Sequence, residues 1–434
     1  MNIYQPEIET MDRPSMGELQ LSRLQHMIDY CLQRSAFYRK KLNDAGITSG
    51  ACIHTLSDIQ RIPFTTKSEL RELYPDGLLA VPMNQVARIH ASSGTTGKPT
   101  IGYYTRHDLN TWSQAAARVL ALNSLEPDDV MQISVGYGLF TGAIGFHQGA
   151  EHIGCTIIPA STGNTEKQLV MMHDLGVTAL MATPSYAANL AERIAASDHP
   201  EEFKLKKVLL GAERCSEGTR KMIEEKLHVA TADNYGLTEF FGPGVAGECP
   251  CRCGLHISED LFYPEVIDPE TGTVLPDGET GELVFTSLDR EAMPLLRYRT
   301  RDLTSLDHRP CACGRTSVRM MTPKGRTDDM FVFKGINVFP SQIECAISQV
   351  PDLAPHYRVT LNRDEHFQDT ALLEIELLRK GLSEKDRERV MRALEHQLRE
   401  IIIVRLQISL LEPGALERFT GKSKRVFDHR YDLE

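Results

Sequence analysis

Three features of the sequence predict an α/β fold, a large layered domain followed by a β subdomain and a small α+β tail. Short apolar or β-branched runs alternate with helix-like stretches between residues 130 and 227, turn-rich sequence takes over from about Gly242, and the texture changes again past residue 327. At 434 residues the chain is too long for one small core and suits a large domain, 1–327, with a second of 328–434.

Residues 17–45 carry Leu19, Leu21, Leu24, Met27, Ile28 and Leu32 near helical spacing up to Gly46, so one helix is expected there. Lys67 to Leu73 reads as another, and Val86 to His90 alternates as a strand does. Asp108 to Leu122 is helix-like. Strands are then expected at 130–135, 155–158, 177–181 and 207–210, with helices at 142–153, 166–175, 186–196 and 217–227 between and after them. Such alternation makes a largely parallel sheet, whose ligands sit at the carboxyl ends of the strands. Pro269-Glu270-Thr271-Gly272 and Pro276-Asp277-Gly278 are turns between strand-like runs, which marks a β subdomain over about 242–325. The tail reads as helix 341–349, strands near 356–361 and 371–378, helix 383–401 and strand 406–411, roughly a hundred residues and enough to fold as a unit.

Apolar and charged fractions of 41% and 25% are those of an ordinary globular protein. No apolar run is long enough to span a membrane, and Met1 to Met16 carries Glu7, Glu9 and Asp12 where a secretory signal would be apolar, so a cytoplasmic protein is expected. The net charge of −11 is interspersed, which argues against nucleic acid as a partner. An anionic ligand would have to be held by local charge. Five of the ten cysteines are bunched, and in a reducing compartment bunched thiols point to metal.

Ser92-Ser93-Gly94-Thr95-Thr96-Gly97-Lys98-Pro99 leaves the strand-like run at 86–90. Its glycines let backbone N–H groups approach an anion, its hydroxyls donate, and Lys98 adds a mobile charge, all of which suit phosphate. An ordinary surface connection has a similar composition. The common P-loop is excluded, because Ser92 stands where its first glycine belongs and Pro99 follows the lysine. Asp233-Asn234-Tyr235-Gly236-Leu237-Thr238-Glu239 follows a strand-like run and reads as a furnished strand end or a polar turn. Tyr298-Arg299-Thr300-Arg301-Asp302 sets a carboxylate among arginines, elsewhere often a surface salt bridge. In Ser134 to Gly142, Tyr137 and Phe140 lie among glycines, which leaves room for a flat ring, although core packing at a strand-to-helix turn reads equally well. Cys249, Cys251 and Cys253 with His256, then Cys311 and Cys313, supply enough thiolate and imidazole for tetrahedral zinc.

The order Ser-Ser-Gly-Thr-Thr-Gly-Lys-Pro resembles the phosphate loop of the AMP-forming adenylating enzymes, the acyl-CoA synthetase and luciferase superfamily. Tyr235-Gly236-Leu237-Thr238-Glu239, Tyr298 to Asp302, Gly325-Arg326-Thr327-Asp328-Asp329 and Thr420-Gly421-Lys422-Ser423-Lys424-Arg425 follow in that superfamily's order. Within it, the short length and the context of these motifs are similar to the aryl-acid–CoA ligases that act on phenylacetate.

The resemblance implies a role for each segment. Ser92 through Lys98 (Ser92, Ser93, Gly94, Thr95, Thr96, Gly97, Lys98) would hold the β- and γ-phosphates of ATP, Thr238 the α-phosphate, and Glu239 the magnesium. Tyr235 would lie near the adenine, with Asp233, Asn234 and Gly236 in the same segment, and Gly211, Ala212 and Glu213 would line the adenine and carboxylate pocket. Asp302 would accept from both ribose hydroxyls, Arg326 would reach ribose or phosphate, and Asp328 would be the hinge of a mobile tail. Lys422 would swing onto the carboxylate and α-phosphate. This copy departs from the usual Pro-Arg-[Ser/Thr], having Glu417-Arg418-Phe419, and Lys424 lies nearby as a competitor. Tyr137, Phe140 and Gly142 would form the acyl pocket. Cys249, His256, Cys311 and Cys313 would hold a structural zinc, with Cys251 or Cys253 able to replace Cys249. The implied activity is ATP-dependent adenylation of an aryl acid, then transfer to coenzyme A, in a homodimer with no membrane partner. A synthetase that adenylates a deazaflavin coenzyme and a non-catalytic zinc-containing binding protein are the alternatives.

Overall fold

A computed structural model describes residues 3–92, 99–327, 331–333, 336–363, 369–402, 405–418 and 424–430. The chain packs into two compact units: Met1–Ala182, Glu201–Ala212 and Ala230–Pro323 make the first, and Thr183–Pro200, Glu213–Val229 and Lys324–Glu434 the second.

In the first unit, strands Thr156–Ile158, Val130–Ile133, Ala179–Ala182, Lys207–Gly211 and Ala230–Leu237 lie side by side in that order, all parallel. Strands Gly242–Glu248, Leu255–Ile257, Arg319–Met320 and Leu306–Asp307 continue the sheet antiparallel. Strands Ala179–Ala182 and Lys207–Gly211, in the middle of the parallel run, are buried on both faces, which is why their sequences are nearly continuous apolar runs. Helices Arg106–Leu122 and Thr141–Ile153 pack against each other and against strand Gly242–Glu248. Their close approach depends on glycine: a Cβ at Gly149 would lie 2.7 Å from the Cβ of Ala116, and one at Gly145 would lie 2.7 Å from the Trp112 ring. A second, antiparallel sheet holds strands Phe262–Ile267, Gly281–Ser287 and Tyr298–Thr304, whose buried faces join Phe240, Phe241 and Trp112 in one aromatic core.

The structure corrects the reading of residues 17–45 as one helix. Helix Arg13–Arg34 ends at Ser35, which adopts extended backbone and accepts the Tyr38 N–H on its Oγ at 3.3 Å, starting helix Ala36–Asp44. The first helix begins earlier than its apolar stripe, because Asp12 caps it by accepting from Ser15 N at 2.9 Å and Pro14 occupies its first turn.

In the second unit, strands Gln407–Leu411, Asp369–Leu377, Leu353–Arg363 and Val426–Asp428 form a sheet in that order, with an antiparallel centre and parallel flanks. Helix Glu384–Ile401 buries Val390, Leu394 and Leu398 at four-residue spacing, and these join Ile343, Val359, Leu373 and Ile375 in the core. Helices Pro184–Ala195 and Glu217–Leu227 pack on each other and belong to this unit although they lie early in the chain. No helix among the described residues is long and apolar enough to cross a membrane.

Candidate functional site

The candidate segments of the first unit meet at the carboxyl end of the parallel strands, where an α/β sheet places its ligands. Strand Ala230–Leu237 carries Asp233, Asn234, Tyr235 and Gly236 within it, not beyond its end. The chain then reverses tightly through Thr238 and Glu239 into strand Gly242–Glu248. The reversal requires glycine at two points. A Cβ at Gly236 would lie 1.7 Å from the carbonyl oxygen of Gly242, and Gly242 itself has φ +63°.

The hairpin Arg88–Ala91/Ile101–Tyr104 is anchored beside this turn. Tyr104 Oη donates to the carbonyls of Thr238 (3.3 Å) and Phe240 (3.0 Å), and Gly102 passes close enough that a Cβ would be 3.1 Å from Thr238 O. Ser92 closes the hairpin's loop: its N–H donates to Thr100 O and its Oγ accepts from Thr100 N, both at 2.9 Å. Ser93, Gly94, Thr95, Thr96, Gly97 and Lys98 lie outside the described residues. The root of the loop is therefore fixed next to Thr238.

Two tyrosines hold the two acidic groups. Asp302, 8% exposed on strand Tyr298–Thr304, accepts from Tyr235 Oη at 2.5 Å, and Glu239, 7% exposed, accepts from Tyr298 Oη at 3.2 Å. Two carboxylates so placed, next to the neck of a glycine- and hydroxyl-rich loop, suit a ligand that brings its own cations and sugar hydroxyls. Tyr298 was not among the residues the sequence singles out as functional, although it opens the motif that ends in Asp302. Asn234 Nδ2 donates to Leu210 O at 3.1 Å, while the Asp233 carboxylate accepts from the Asn234 N–H at 2.9 Å. Both brace the strand end. Gly211 ends strand Lys207–Gly211, and Ala212 after it takes φ +67°, a strained value of the kind that clusters at functional sites.

The segment after strand Val130–Ile133 is tied to the hairpin by Ala91 N, which donates to Leu139 O at 2.9 Å. His90 Nδ1 shares that carbonyl at 3.0 Å and so carries the proton, and burial holds its ring below the usual histidine range. Tyr137 is half-buried with its hydroxyl 3.0 Å from His147 Nδ1, and burial pushes its phenol up. Phe140 is 46% exposed and Gly142 lies in the first turn of helix Thr141–Ile153.

In the second unit, Glu213 accepts from Ser185 Oγ at 2.6 Å, and Arg326 lies in the short strand Gly325–Arg326. Asp328 and Lys422 lie outside the described residues. The chain leading to residue 418 is pinned by Glu376, a carboxylate 1% exposed on strand Asp369–Leu377. It accepts from Gly414 N (3.0 Å), Leu416 N (2.7 Å) and both guanidinium ends of Arg418 (2.8 Å each). Burial alone would raise the Glu376 pKa, but these donors hold it below the usual carboxylate range. Arg418 is the one member of the usual Pro-Arg-[Ser/Thr] that this copy keeps, and its partner Glu376 is buried.

Cys249, His256, Cys311 and Cys313 come together, with one ligand atom from each within 4.8 Å of all the others and all four side chains buried. Cys249 Sγ lies 3.7 Å from Cys311 Sγ, and Cys313 Sγ lies 3.5 Å from His256 Nε2. Tetrahedral zinc with bonds of about 2.0–2.3 Å separates its ligand atoms by about 3.5–3.8 Å, so the donor set fits that ion. The other ring nitrogen of His256 is 2.9 Å from Ser317 Oγ, which orients Nε2 toward the thiols. Cys253 Sγ also comes within 3.3 Å of Cys311 Sγ.

Two family models match the chain, AMP-binding enzyme over residues 15–288 and AMP-binding enzyme C-terminal domain over residues 335–430. The chain belongs to the AMP-binding enzyme family. Among family members, it is 44% identical to the phenylacetate-coenzyme A ligase of Thermus thermophilus, covering 99% of this chain and 100% of that one. It is 42% identical to the phenylacetate-coenzyme A ligase of Escherichia coli, covering 98% and 97%. A crystal structure of 2-hydroxyisobutyryl-CoA ligase in the postadenylation state, in complex with 2-HIB-AMP, superposes with a TM-score of 0.88 at 28% identity, covering 98% of this chain and 92% of that one. The fold is thus that of an adenylating enzyme, with a large N-terminal and a small C-terminal domain.

Proposed function

We propose that this chain is an ATP-dependent, AMP-forming ligase that adenylates an aryl carboxylic acid, phenylacetate above others, and passes the acyl group to coenzyme A. The observation that carries the reading is the hydrogen bond from Tyr235 to Asp302, which joins two motifs 67 positions apart beside the Thr238–Glu239 turn. Neither the deazaflavin nor the non-catalytic alternative is favoured, since the full-length relatives bear the name of a coenzyme A ligase.

The chemistry follows from charge. A carboxylate and a triphosphate repel, so cations and donors must gather where negative charge builds on the α-phosphate. Thr238 and Lys422 would donate to that phosphate and to the attacking carboxylate, while Ser92 through Lys98 hold the leaving pyrophosphate. Glu239 would supply a hard oxygen to the magnesium that accompanies ATP. Asp302 would orient the ribose, and Tyr235 would hold Asp302 while lying against the base. Attack yields acyl-AMP and pyrophosphate. Rotation of the domain 328–434 about Asp328 would then withdraw Lys422 and admit the thiol. Tyr137, Phe140 and Gly142 would enclose the aryl group, and the working form would be a cytoplasmic homodimer.

Incubating the protein with ATP, magnesium and a panel of carboxylic acids, with and without coenzyme A, tests this reading. Coenzyme A-dependent release of AMP with phenylacetate is expected; no release with any acid overturns the assignment.

The buried thiols and His256 would hold a zinc that ties the strand ends at 249 and 256 to the turn at 311–314. With four protein ligands no position is left for substrate, so its role would be structural. Protein purified without added metal is expected to carry about one zinc per chain, as a four-ligand site implies. Cys311→Ser is expected to lower the melting temperature by on the order of 3–5 °C, a loss of roughly 2–3 kcal/mol, with kcat per folded molecule unchanged. Metal analysis together with calorimetry checks both, and a Cys311→Ser protein of unchanged metal content and midpoint would refute the zinc assignment.

A further inference from the structure

Gln168 is buried in helix Thr165–Asp174, 3% exposed, and its side chain makes four hydrogen bonds to two different segments. Its Oε1 accepts from Ser134 Oγ at 2.7 Å and from Gln132 Nε2 at 3.2 Å, both at the end of strand Val130–Ile133. Its Nε2 donates to the carbonyls of Ser161 at 3.0 Å and Gly163 at 2.7 Å. That loop is one the backbone does not favour: Ser161, Gly163 and Asn164 have φ of +62°, +81° and +46°, and for the two non-glycine residues this costs on the order of 1–3 kcal/mol each. Ser161 reaches back in turn. Its Oγ accepts the N–H of Tyr137 at 3.3 Å, and Thr162 lies over Gly136, 3.8 Å from where a Cβ would stand.

A cluster with no purpose but stability would more simply be apolar, because replacing both partners of a buried hydrogen bond by apolar groups of the same shape is nearly neutral or stabilising. This cluster also carries a cost, since the Oε1 of Gln132, itself fully buried, has no hydrogen-bond partner among the described residues. The polar arrangement therefore secures a geometry: Gln168 fixes the loop and the loop fixes Tyr137.

We infer that Gln168, acting through Ser161, is a positioning residue for the aryl-binding segment 136–142 and so sets the affinity for the acid without touching the nucleotide. The inference rests on the assignment of Tyr137 to the acyl pocket in the proposed function. Its chemistry predicts a split between substrates. Gln168→Glu puts an acceptor where the carbonyls of Ser161 and Gly163 need a donor, and is expected to raise KM for phenylacetate about tenfold, the worth of one or two hydrogen bonds, while KM for ATP stays within about twofold.

Ser161→Gly separates positioning from folding. It removes only the Oγ that holds Tyr137, and glycine is at ease at φ +62°, so the melting temperature is expected to hold or rise while KM for phenylacetate rises about threefold to tenfold. A purely structural Gln168 and Ser161 would instead lower stability and the active fraction, with KM for the acid unmoved. Tyr137→Ala is measured alongside. If it raises KM for the acid and the other two variants do not, the positioning role is overturned and the pocket stands; if it too leaves that KM unchanged, the pocket assignment falls and the inference with it.

Discussion

Glu239→Gln is expected to slow acyl-AMP formation by about 10²–10³-fold, the loss typical of removing one group aimed at charge that develops in a transition state. The residue is 7% exposed, on the tight turn that closes strand Ala230–Leu237, and it is oriented by Tyr298. Glutamine keeps an oxygen for Tyr298 Oη, so the turn should survive and the change is one of charge alone. Because charge on the phosphate grows as the carboxylate attacks, the loss should appear in kcat of the adenylation half-reaction. KM for ATP should move much less. Transfer from supplied acyl-AMP to coenzyme A should be little affected, since pyrophosphate has already left. Single-turnover measurement of the two half-reactions checks this, and equal slowing of both would show that Glu239 acts on the fold.

Asp302→Ala is expected to act differently. A carboxylate that accepts from two ribose hydroxyls does so in the ground state and the transition state alike, so its loss should fall on KM for ATP. Two hydrogen bonds to a charged group, at roughly 1.5–3 kcal/mol each, would account for a rise of at least about 10²-fold. Asp302 also receives Tyr235 Oη, so the substitution removes that tyrosine's acceptor as well. Tyr235→Phe should then cost about tenfold by itself and little more in the Asp302→Ala background, because the two residues act as one unit. Additive losses would break the link between them.

Much of the fold was legible because each element carries its own period. Val390, Leu394 and Leu398 announce a helix face, and the continuous apolar runs of strands Ala179–Ala182 and Lys207–Gly211 announce a sheet covered on both faces. Ser35 escaped because a single extended residue between two helices leaves the apolar stripe almost in phase. The grouping of helices Pro184–Ala195 and Glu217–Leu227 with the second unit depends on packing between distant parts of the chain, for which no local pattern exists.

The site divides in the same way. The bunched thiols and His256 pointed to a metal by themselves, the choice of Cys249 over Cys251 or Cys253 came from the family resemblance, and Cys249, His256, Cys311 and Cys313 do converge. Thr238, Glu239 and Asp302 stood out through their motifs. Tyr298 and Gln168 did not, because a tyrosine that braces a carboxylate 59 positions away and an amide that staples a loop look like any buried polar residue until their partners are known.

The most direct test of the account is the position of the ribose in a crystal grown with AMP and magnesium. Both ribose hydroxyls are predicted to lie within hydrogen-bonding distance of the Asp302 carboxylate, with Tyr235 still donating to it and the phosphate next to Thr238. A ribose bound elsewhere, with Asp302 and Thr238 facing only solvent or protein, would contradict it.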